Sequence, residues 1–230
     1  PSYLIAGIPV TSAYACNKMQ SCLGTSASMF KYAKSGFLDY KIAVPSAFAA
    51  VVGAAVSTEI MLSLDEYTKK IIIVCSMCFV IVLTVLSSRI KIDTNSQRRA
   101  EISARNIILG LVIGIMLGFY DGFFGPGGGT IALLLFSIIM KYDLRVGCGN
   151  GKLIIVIANL TSTLRYLFAG AVIFKIAIPC SIANIIGSYI GATLATKKGT
   201  RFVKYISWIV IAALLIYAAT DMLNILDTKA

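Results

Sequence analysis

The chain has 230 residues, of which 58% are hydrophobic and 13% are charged. Because soluble domains carry about 25% charged residues, this composition excludes an ordinary water-soluble fold. Lysine and arginine outnumber aspartate and glutamate by 21 to 10, but the basic residues fall between apolar stretches, which indicates the positive-inside pattern of membrane proteins and not a nucleic-acid-binding surface.

Eight apolar stretches, bounded by polar residues, glycine or proline, follow one another along the chain. They cover residues 18–35, 42–62, 70–88, 105–123, 129–140, 150–169, 175–196 and 203–224. Most are close to the ~20 residues that a membrane-spanning helix requires. The sequence therefore predicts an all-α polytopic membrane protein that crosses the membrane several times.

The stretch at 129–140 is too short to span an average bilayer, and a glycine-rich run precedes it. That run consists of Gly125, Pro126, Gly127, Gly128 and Gly129 and is followed by Thr130. Because proline and clustered glycine do not support a continuous helix, the sequence predicts a broken helix here.

A break at membrane depth leaves unpaired backbone groups unless protein or a watery cavity satisfies them, so such breaks usually line a site. The helix that resumes near Thr130 is predicted to direct free N–H groups and its positive dipole end toward a bound anion. The alternative is that the glycines only allow helices to pack closely.

A shift of the chain by 134 residues reveals an internal repeat. Without a gap, it aligns identical residues that include Lys18 with Lys152, Tyr32 with Tyr166, Pro45 with Pro179 and Gly53 with Gly187. The same register places Pro1 on Leu135. We therefore expect the first copy to lack its first helix and its glycine-rich break, and the native protein to begin a few tens of residues earlier.

Loop charges predict how the two copies are oriented. Fifteen of the 21 basic residues lie in four alternate connections, which fits a repeat of five segments whose second copy is inverted, as in many secondary transporters. Parallel copies remain an alternative if the short helix does not complete its crossing. We predict a first repeat at 1–88, a basic cytoplasmic linker at 89–104 and a second repeat at 105–230.

Three ionisable residues are candidates for the site. Lys18, after Asn17, and Lys152 are each predicted to open a helix at equivalent positions and to attract an anion; the alternative is a lysine that snorkels to the interface. Asp121 lies beside the break and is a candidate for proton coupling, because acids inside membranes are rare and functional by default. Its alternative role is a helix cap or a partner for a lysine.

Further polar residues align in the two copies. Asn159, Ser162 and Thr163 are spaced i, i+3 and i+4, so one helical face presents an amide and two hydroxyls; Thr25 lies in the corresponding part of the first copy. These side chains either line the pathway or join helices. The six cysteines lie in or beside apolar stretches, where they pack as small hydrophobes. With no histidine, the chain is predicted to hold neither a metal nor a cofactor.

These motifs resemble the TauE/SafE family of sulfite and organosulfonate exporters. The resemblance rests on the run from Gly118 to Gly129, on Asn17-Lys18, on Gly151-Lys152 with Asn159, and on the duplicated architecture. It implies a secondary permease for small anions, often sulfur-containing ones, that crosses a bacterial inner (cell) membrane several times, and it suggests coupling to the proton gradient. One departure is Ile155, where members often carry asparagine.

The sequence thus predicts a transporter and no enzymatic activity, with a small anion and the lipid bilayer as partners and a homodimer as a further expectation. Two alternatives remain at this stage. One is a membrane-embedded enzyme that uses Asp121 and a cysteine, and the other is an assembly subunit that transports nothing.

Overall fold

The computed structural model describes residues 2–89, 103–125 and 127–198. In this part of the chain all regular elements are helices. They are α1 (Ser2–Ile5), α2 (Val10–Lys34), α3 (Tyr40–Ser63), α4 (Glu66–Arg89), α5 (Ala104–Phe123), α6 (Gly128–Leu134), a π-helical turn (Leu135–Ile139), α7 (Leu144–Phe168) and α8 (Phe174–Lys198).

Four of the described helices are long and apolar enough to cross a membrane. These are Tyr40–Ser63, Ala104–Phe123, Leu144–Phe168 and the Phe174–Ala195 part of α8. The predicted helical membrane fold is confirmed at this level. The apolar stretch at 203–224, most of the linker at 89–104, and Pro126 lie outside the described residues.

Two helices begin six or more residues earlier than the sequence predicted. Helix α2 starts at Val10 instead of residue 18, and α7 starts at Leu144 instead of residue 150. The prediction that Lys18 and Lys152 open helices is therefore wrong, since each is the ninth residue of its helix. A hydropathy pattern ends an apolar stretch where polar residues begin. A membrane helix can nevertheless continue through polar residues when the surrounding protein buries their side chains.

Side-chain oxygens cap the starts of several helices. The Asp39 carboxylate accepts a hydrogen bond from the Lys41 N–H at the start of α3, and Asp143 accepts one from the Arg145 N–H at the start of α7. The Tyr142 hydroxyl donates to Asp39 Oδ2 over 2.7 Å. These caps satisfy amides that have no partner within their own helix.

A carboxylate also joins the start of α4 to the start of α2. Glu66 accepts hydrogen bonds from the Val10 N–H over 2.9 Å and from the Thr11 hydroxyl over 2.6 Å. These bonds favour the ionised form, so the pKa of Glu66 lies below its ordinary value, chiefly because of the Thr11 hydroxyl.

Helices α3 and α5 are in backbone contact along a row of glycines at every fourth position of α5. The row is Gly110, Gly114, Gly118 and Gly122. A Cβ placed on Gly114 would lie 2.0 Å from the Ser46 carbonyl oxygen, and one on Gly118 would lie 2.2 Å from the Ala50 carbonyl oxygen. Small residues at this spacing let membrane helices approach closely.

We expect Gly114→Ala to destabilise the protein by about 1–3 kcal/mol, because the added methyl group must displace the backbone of α3. The matched control is Gly187→Ala on α8, where an added Cβ meets nothing within 4 Å. Thermal unfolding of both variants in detergent measures the difference. Equal melting temperatures for the two variants would contradict close packing of α3 on α5.

Helices α2 and α7 run antiparallel. Tyr14, near the start of α2, packs in one buried cluster with Tyr166 near the end of α7. At the other end Tyr32 is in hydrogen-bonding contact with Cys148, and between them the Cys22 thiol lies 4.0 Å from the Val156 carbonyl oxygen. Helix α3 also packs along α7, so α7 lies between α2 and α3.

The chain divides into two compact units, Pro1–Thr193 and Leu194–Ala230. The first contains α1 to α7 and most of α8. Of the second, the structure describes residues 194–198, which are the end of α8.

Candidate functional site

The candidate site begins where the chain leaves helical geometry between α5 and α6. Helix α5 ends at Phe123 and α6 begins at Gly128. Gly125 and Gly127 have φ angles of +82° and +85°, which L side chains rarely adopt. Gly128 is buried and Gly129 is exposed.

The charge nearest to this segment is a buried ion pair. Lys18 is fully buried and Asp121 is 4% exposed. Lys18 Nζ lies 3.1 Å from Asp121 Oδ2 and also donates to the Asp121 backbone carbonyl. The alternative that Lys18 snorkels to the interface is therefore wrong, whereas the alternative that Asp121 pairs with a lysine describes what the structure has.

The residues before α6 lie against this ion pair. A Cβ placed on Gly125 would lie 3.7 Å from Lys18 Nζ and 3.8 Å from Asn17 Nδ2. A Cβ placed on Gly128 would lie 3.1 Å from Asp121 Oδ1. The glycines thus allow the backbone to approach both charges and Asn17.

Two neighbours of Lys152 on α7, Gly151 and Ile155, lie against the start of α6. A Cβ on Gly151 would lie 2.4 Å from the Ala132 Cβ, and Ile155 Cδ1 lies 3.6 Å from the Cβ position of Gly128. Lys152 itself, which is half-buried, interacts electrostatically with Asp121. The structure therefore pairs Lys18 directly with the predicted proton-coupling aspartate and places Lys152 near enough to interact with its charge.

The polar face predicted on α7 is buried. The Ser162 hydroxyl accepts a hydrogen bond from the Thr58 hydroxyl of α3 over 2.8 Å, which is the helix-joining role. Asn159 donates to the Ile155 carbonyl over 3.0 Å, but Asn159 Oδ1 and Thr163 Oγ1 are buried without a hydrogen-bond partner among the residues that the structure describes. Buried polar atoms are normally paired. Of these two, the Thr163 hydroxyl can donate to an anion, whereas the Asn159 amide oxygen can only accept a hydrogen bond.

Thr25 and the start of α6 contribute less to the candidate site than the sequence predicted. No hydrogen bond joins the Thr25 side chain to the ion pair within the described residues; the Thr25 carbonyl accepts from the Ser28 hydroxyl. Helix α6 has only seven residues, and the Thr130 N–H donates to the Gly127 carbonyl over 2.9 Å. The lysine side chains therefore supply more positive charge than the helix end.

The sequence analysis missed two features of this region. Thr58, the partner of Ser162, gave no signal, because its contact spans 104 positions of the chain. The second feature is the glycine row of α5, which ends at Gly122 next to Asp121. Its spacing of four residues is visible in the sequence and indicates a close helix contact.

Comparisons with known proteins place the chain among transporters. It is 27% identical to the "Probable membrane transporter protein ORF9" of a Sinorhizobium species, over 96% of this chain and 83% of that protein. It is 23% identical to a "Probable membrane transporter protein" of Haemophilus influenzae (89% and 78%) and to "Probable membrane transporter protein YfcA" of Escherichia coli K12 (89% and 74%). No solved structure matches the chain.

The helical membrane fold and these relatives define the class of the protein, which is a membrane transporter and not an enzyme. A family model described as "Sulfite exporter TauE/SafE" matches residues 1–218. The chain belongs to this family, and the resemblance found in the sequence is confirmed.

Proposed function

We propose that the chain is a secondary permease for small anions, with sulfur-containing oxyanions such as sulfite and organosulfonates as substrates. The observation that carries the proposal is the buried Lys18–Asp121 ion pair at the segment between α5 and α6, with Lys152 near enough to interact with Asp121. Buried charges in a membrane protein mark substrate or ion pathways. The excess of positive charge at this point favours an anion.

The substrate site would consist of the residues around that segment. Its proposed members are Asn17, Lys18, Thr25, Gly125, Pro126, Gly127, Gly128, Gly129, Thr130, Lys152, Asn159, Ser162 and Thr163. Asp121 would exchange a proton, because protonation removes the negative charge of its carboxylate and so releases Lys18 from the ion pair. The relatives are bacterial proteins, which supports a multi-pass location in a bacterial inner membrane.

An inverted repeat is part of the proposal, and exchanged contacts support it. With the shift of 134 residues, Cys16 corresponds to Asn150 and Asp39 to Ile173. Asn150 Oδ1 accepts from the Asp39 N–H over 2.8 Å, and the Cys16 thiol lies 3.7 Å from the Ile173 carbonyl oxygen. Such reciprocal pairs are typical of a two-fold relation.

The direction of the helices supports inversion. Helix α2, shifted by 134 residues, has the bounds of α7, from Leu144 to Phe168. Since these corresponding helices run antiparallel, the copies they belong to would have opposite orientations in the membrane. The division into repeats at 1–88 and 105–230, joined by a cytoplasmic linker at 89–104, remains a prediction, as does a homodimer.

The test is transport by the purified full chain in proteoliposomes. We expect uptake of labelled methanesulfonate or sulfite to exceed that of protein-free liposomes and to respond to an imposed proton gradient. A subunit that serves only assembly would carry no anion. Absence of flux for sulfite, methanesulfonate and other small anions would contradict the proposed function.

A further inference from the structure

One end of the group formed by α2, α3, α5 and α7 has an excess of positive charge. The loop between α2 and α3 meets the start of α7 there, because the Tyr142 hydroxyl donates to Asp39 and Asn150 Oδ1 accepts from the Asp39 N–H. Helix α5 begins at the same end, since Gly110 in its first half lies against Ile42 of α3. Six cations are located at these helix ends and form the cationic end of the protein: Lys31, Lys34, Lys41, Arg105, Lys141 and Arg145.

Surface carboxylates do not neutralise the cationic end in the part of the chain that the structure describes. The acids described there, Asp39 and Asp143, are buried and accept hydrogen bonds at the starts of α3 and α7. The ion pairs among the described residues include none of the six cations; they are Lys18–Asp121, Lys69–Glu66 and Arg165–Glu59. Four of the six cations are exposed, namely Lys34, Lys41, Arg105 and Lys141. Their charge is therefore available to an anionic partner.

The distribution of charge assigns the cationic end to the cytoplasmic side of the membrane. At the opposite end, where α3 finishes and α4 starts, Glu59 and Asp65 are exposed, and Arg165 is paired with Glu59. Clusters of four to eight basic residues on the cytoplasmic side of membrane helices attract anionic lipid headgroups, and each residue strengthens the binding about fivefold. The six cations fall within that range.

An apolar groove lies between α3 and α7 next to the cationic end. It has a volume of about 80 Å³. Its lining residues are all apolar: Val44, Ala47, Phe48, Leu153 and Ile157. Phe48 is 72% exposed, so the groove opens at the outer surface of the helices. In a membrane protein, such a surface faces the acyl chains of the bilayer.

Lys41 connects the cationic end to this groove. Lys41, Val44 and Phe48 lie at i, i+3 and i+7 on α3, so they share one helical face. Tyr40, the neighbour of Lys41, is 59% exposed, as aromatic residues at the membrane interface often are. A phospholipid has its phosphate at this interface and its acyl chains in the bilayer core. It therefore matches a cation that is followed by an apolar groove, whereas a soluble anion has no group that would fill the groove.

We propose that the cationic end and the groove between α3 and α7 bind an anionic phospholipid. Lys41 contacts the headgroup phosphate, and one acyl chain lies in the groove along Val44 and Phe48. The other cations supply the positive potential that favours an anionic headgroup over a zwitterionic one. This surface does not include the ion pair of Lys18 and Asp121, and it does not depend on the proposed function.

Native mass spectrometry of the purified full chain in detergent tests this site. Titration with dimyristoylphosphatidylglycerol and with the phosphatidylcholine of the same acyl chains is expected to show at least about fivefold tighter binding of phosphatidylglycerol. Lys41→Gln is expected to weaken the binding of phosphatidylglycerol about fivefold and to leave that of phosphatidylcholine unchanged. The matched control is Lys175→Gln, which removes an exposed lysine from the second position of α8, as Lys41→Gln does from α3. It is expected to change neither affinity.

A second pair of variants tests the groove. Val44→Trp fills the groove and is expected to weaken the binding of both lipids, because the acyl chain loses its apolar contact. Val56→Trp adds the same side chain to an exposed position of α3 outside the groove and is expected to retain wild-type affinities. Size-exclusion elution and melting temperature report the folding of each variant.

Equal affinities of the wild type for the two lipids would overturn the inference, as would equal losses in Lys41→Gln and Lys175→Gln. Wild-type binding by Val44→Trp would overturn it as well. Complete displacement of phosphatidylglycerol by glycerol 3-phosphate would show a site for a soluble anion and not for a lipid. The proposed function fails by a different result, the absence of anion flux in proteoliposomes.

Discussion

Lys18→Met is expected to destabilise the protein by about 3–5 kcal/mol and to abolish anion transport. The substitution leaves the Asp121 carboxylate buried without its cation, and the remaining lysine, Lys152, interacts with Asp121 without a direct bond. Thermal unfolding in detergent and flux in proteoliposomes measure the two effects.

The chain provides a control and a rescue for this variant. Lys34→Met removes an exposed lysine from the end of the same helix and is expected to change unfolding by less than about 1 kcal/mol. Lys18→Met/Asp121→Asn removes both charges and is expected to recover most of the lost stability, because no uncompensated charge remains. If Lys18→Met unfolded at the wild-type temperature, the result would contradict a contribution of the ion pair to the stability of the protein.

Gly128→Leu is expected to reduce anion flux at least about tenfold, because a transport site tolerates little displacement of its charges. A Cβ at this position would already lie 3.1 Å from Asp121 Oδ1 and 3.6 Å from Ile155 Cδ1. The remaining leucine atoms must push the carboxylate away from Lys18 or fill the space beside it. Flux per folded protein is the measurement.

Gly187→Leu on α8 is the matched control, since nothing lies within 4 Å of an added Cβ there. It adds the same side chain to a helix and is expected to retain wild-type flux. Full transport by Gly128→Leu would place the substrate away from the segment between α5 and α6. It would also strengthen the alternative that this segment serves only packing or assembly.

The class of fold and the family could be predicted because they depend on local features. Apolar stretches of membrane length and the motif from Gly118 to Gly129 lie within single segments of the chain. The start of α2 could not be found in the same way. Cys16 and Asn17 interrupt the apolar pattern, although the helix continues through them from Val10 because neighbouring helices surround this turn.

The pairing within the site was only partly accessible from the sequence. Lys18 and Asp121 were both candidates, but 103 positions separate them, and spacing along a chain does not reveal contacts between helices. The sequence analysis gave the backbone amides near Thr130 more weight than the structure supports. Helix α6 has only seven residues, and the Thr130 N–H already donates to the Gly127 carbonyl. Both features depend on the turn at Gly127.

The glycine row between α3 and α5 has a consequence for how this transporter moves. Helices whose backbones are in close contact at Gly114 and Gly118 are packed tightly along their length, so we expect the two to shift together. Asp121 lies at the end of α5, whereas Lys18 belongs to α2. A rearrangement that moves α2 relative to α3 and α5 would therefore change the distance between these two charges.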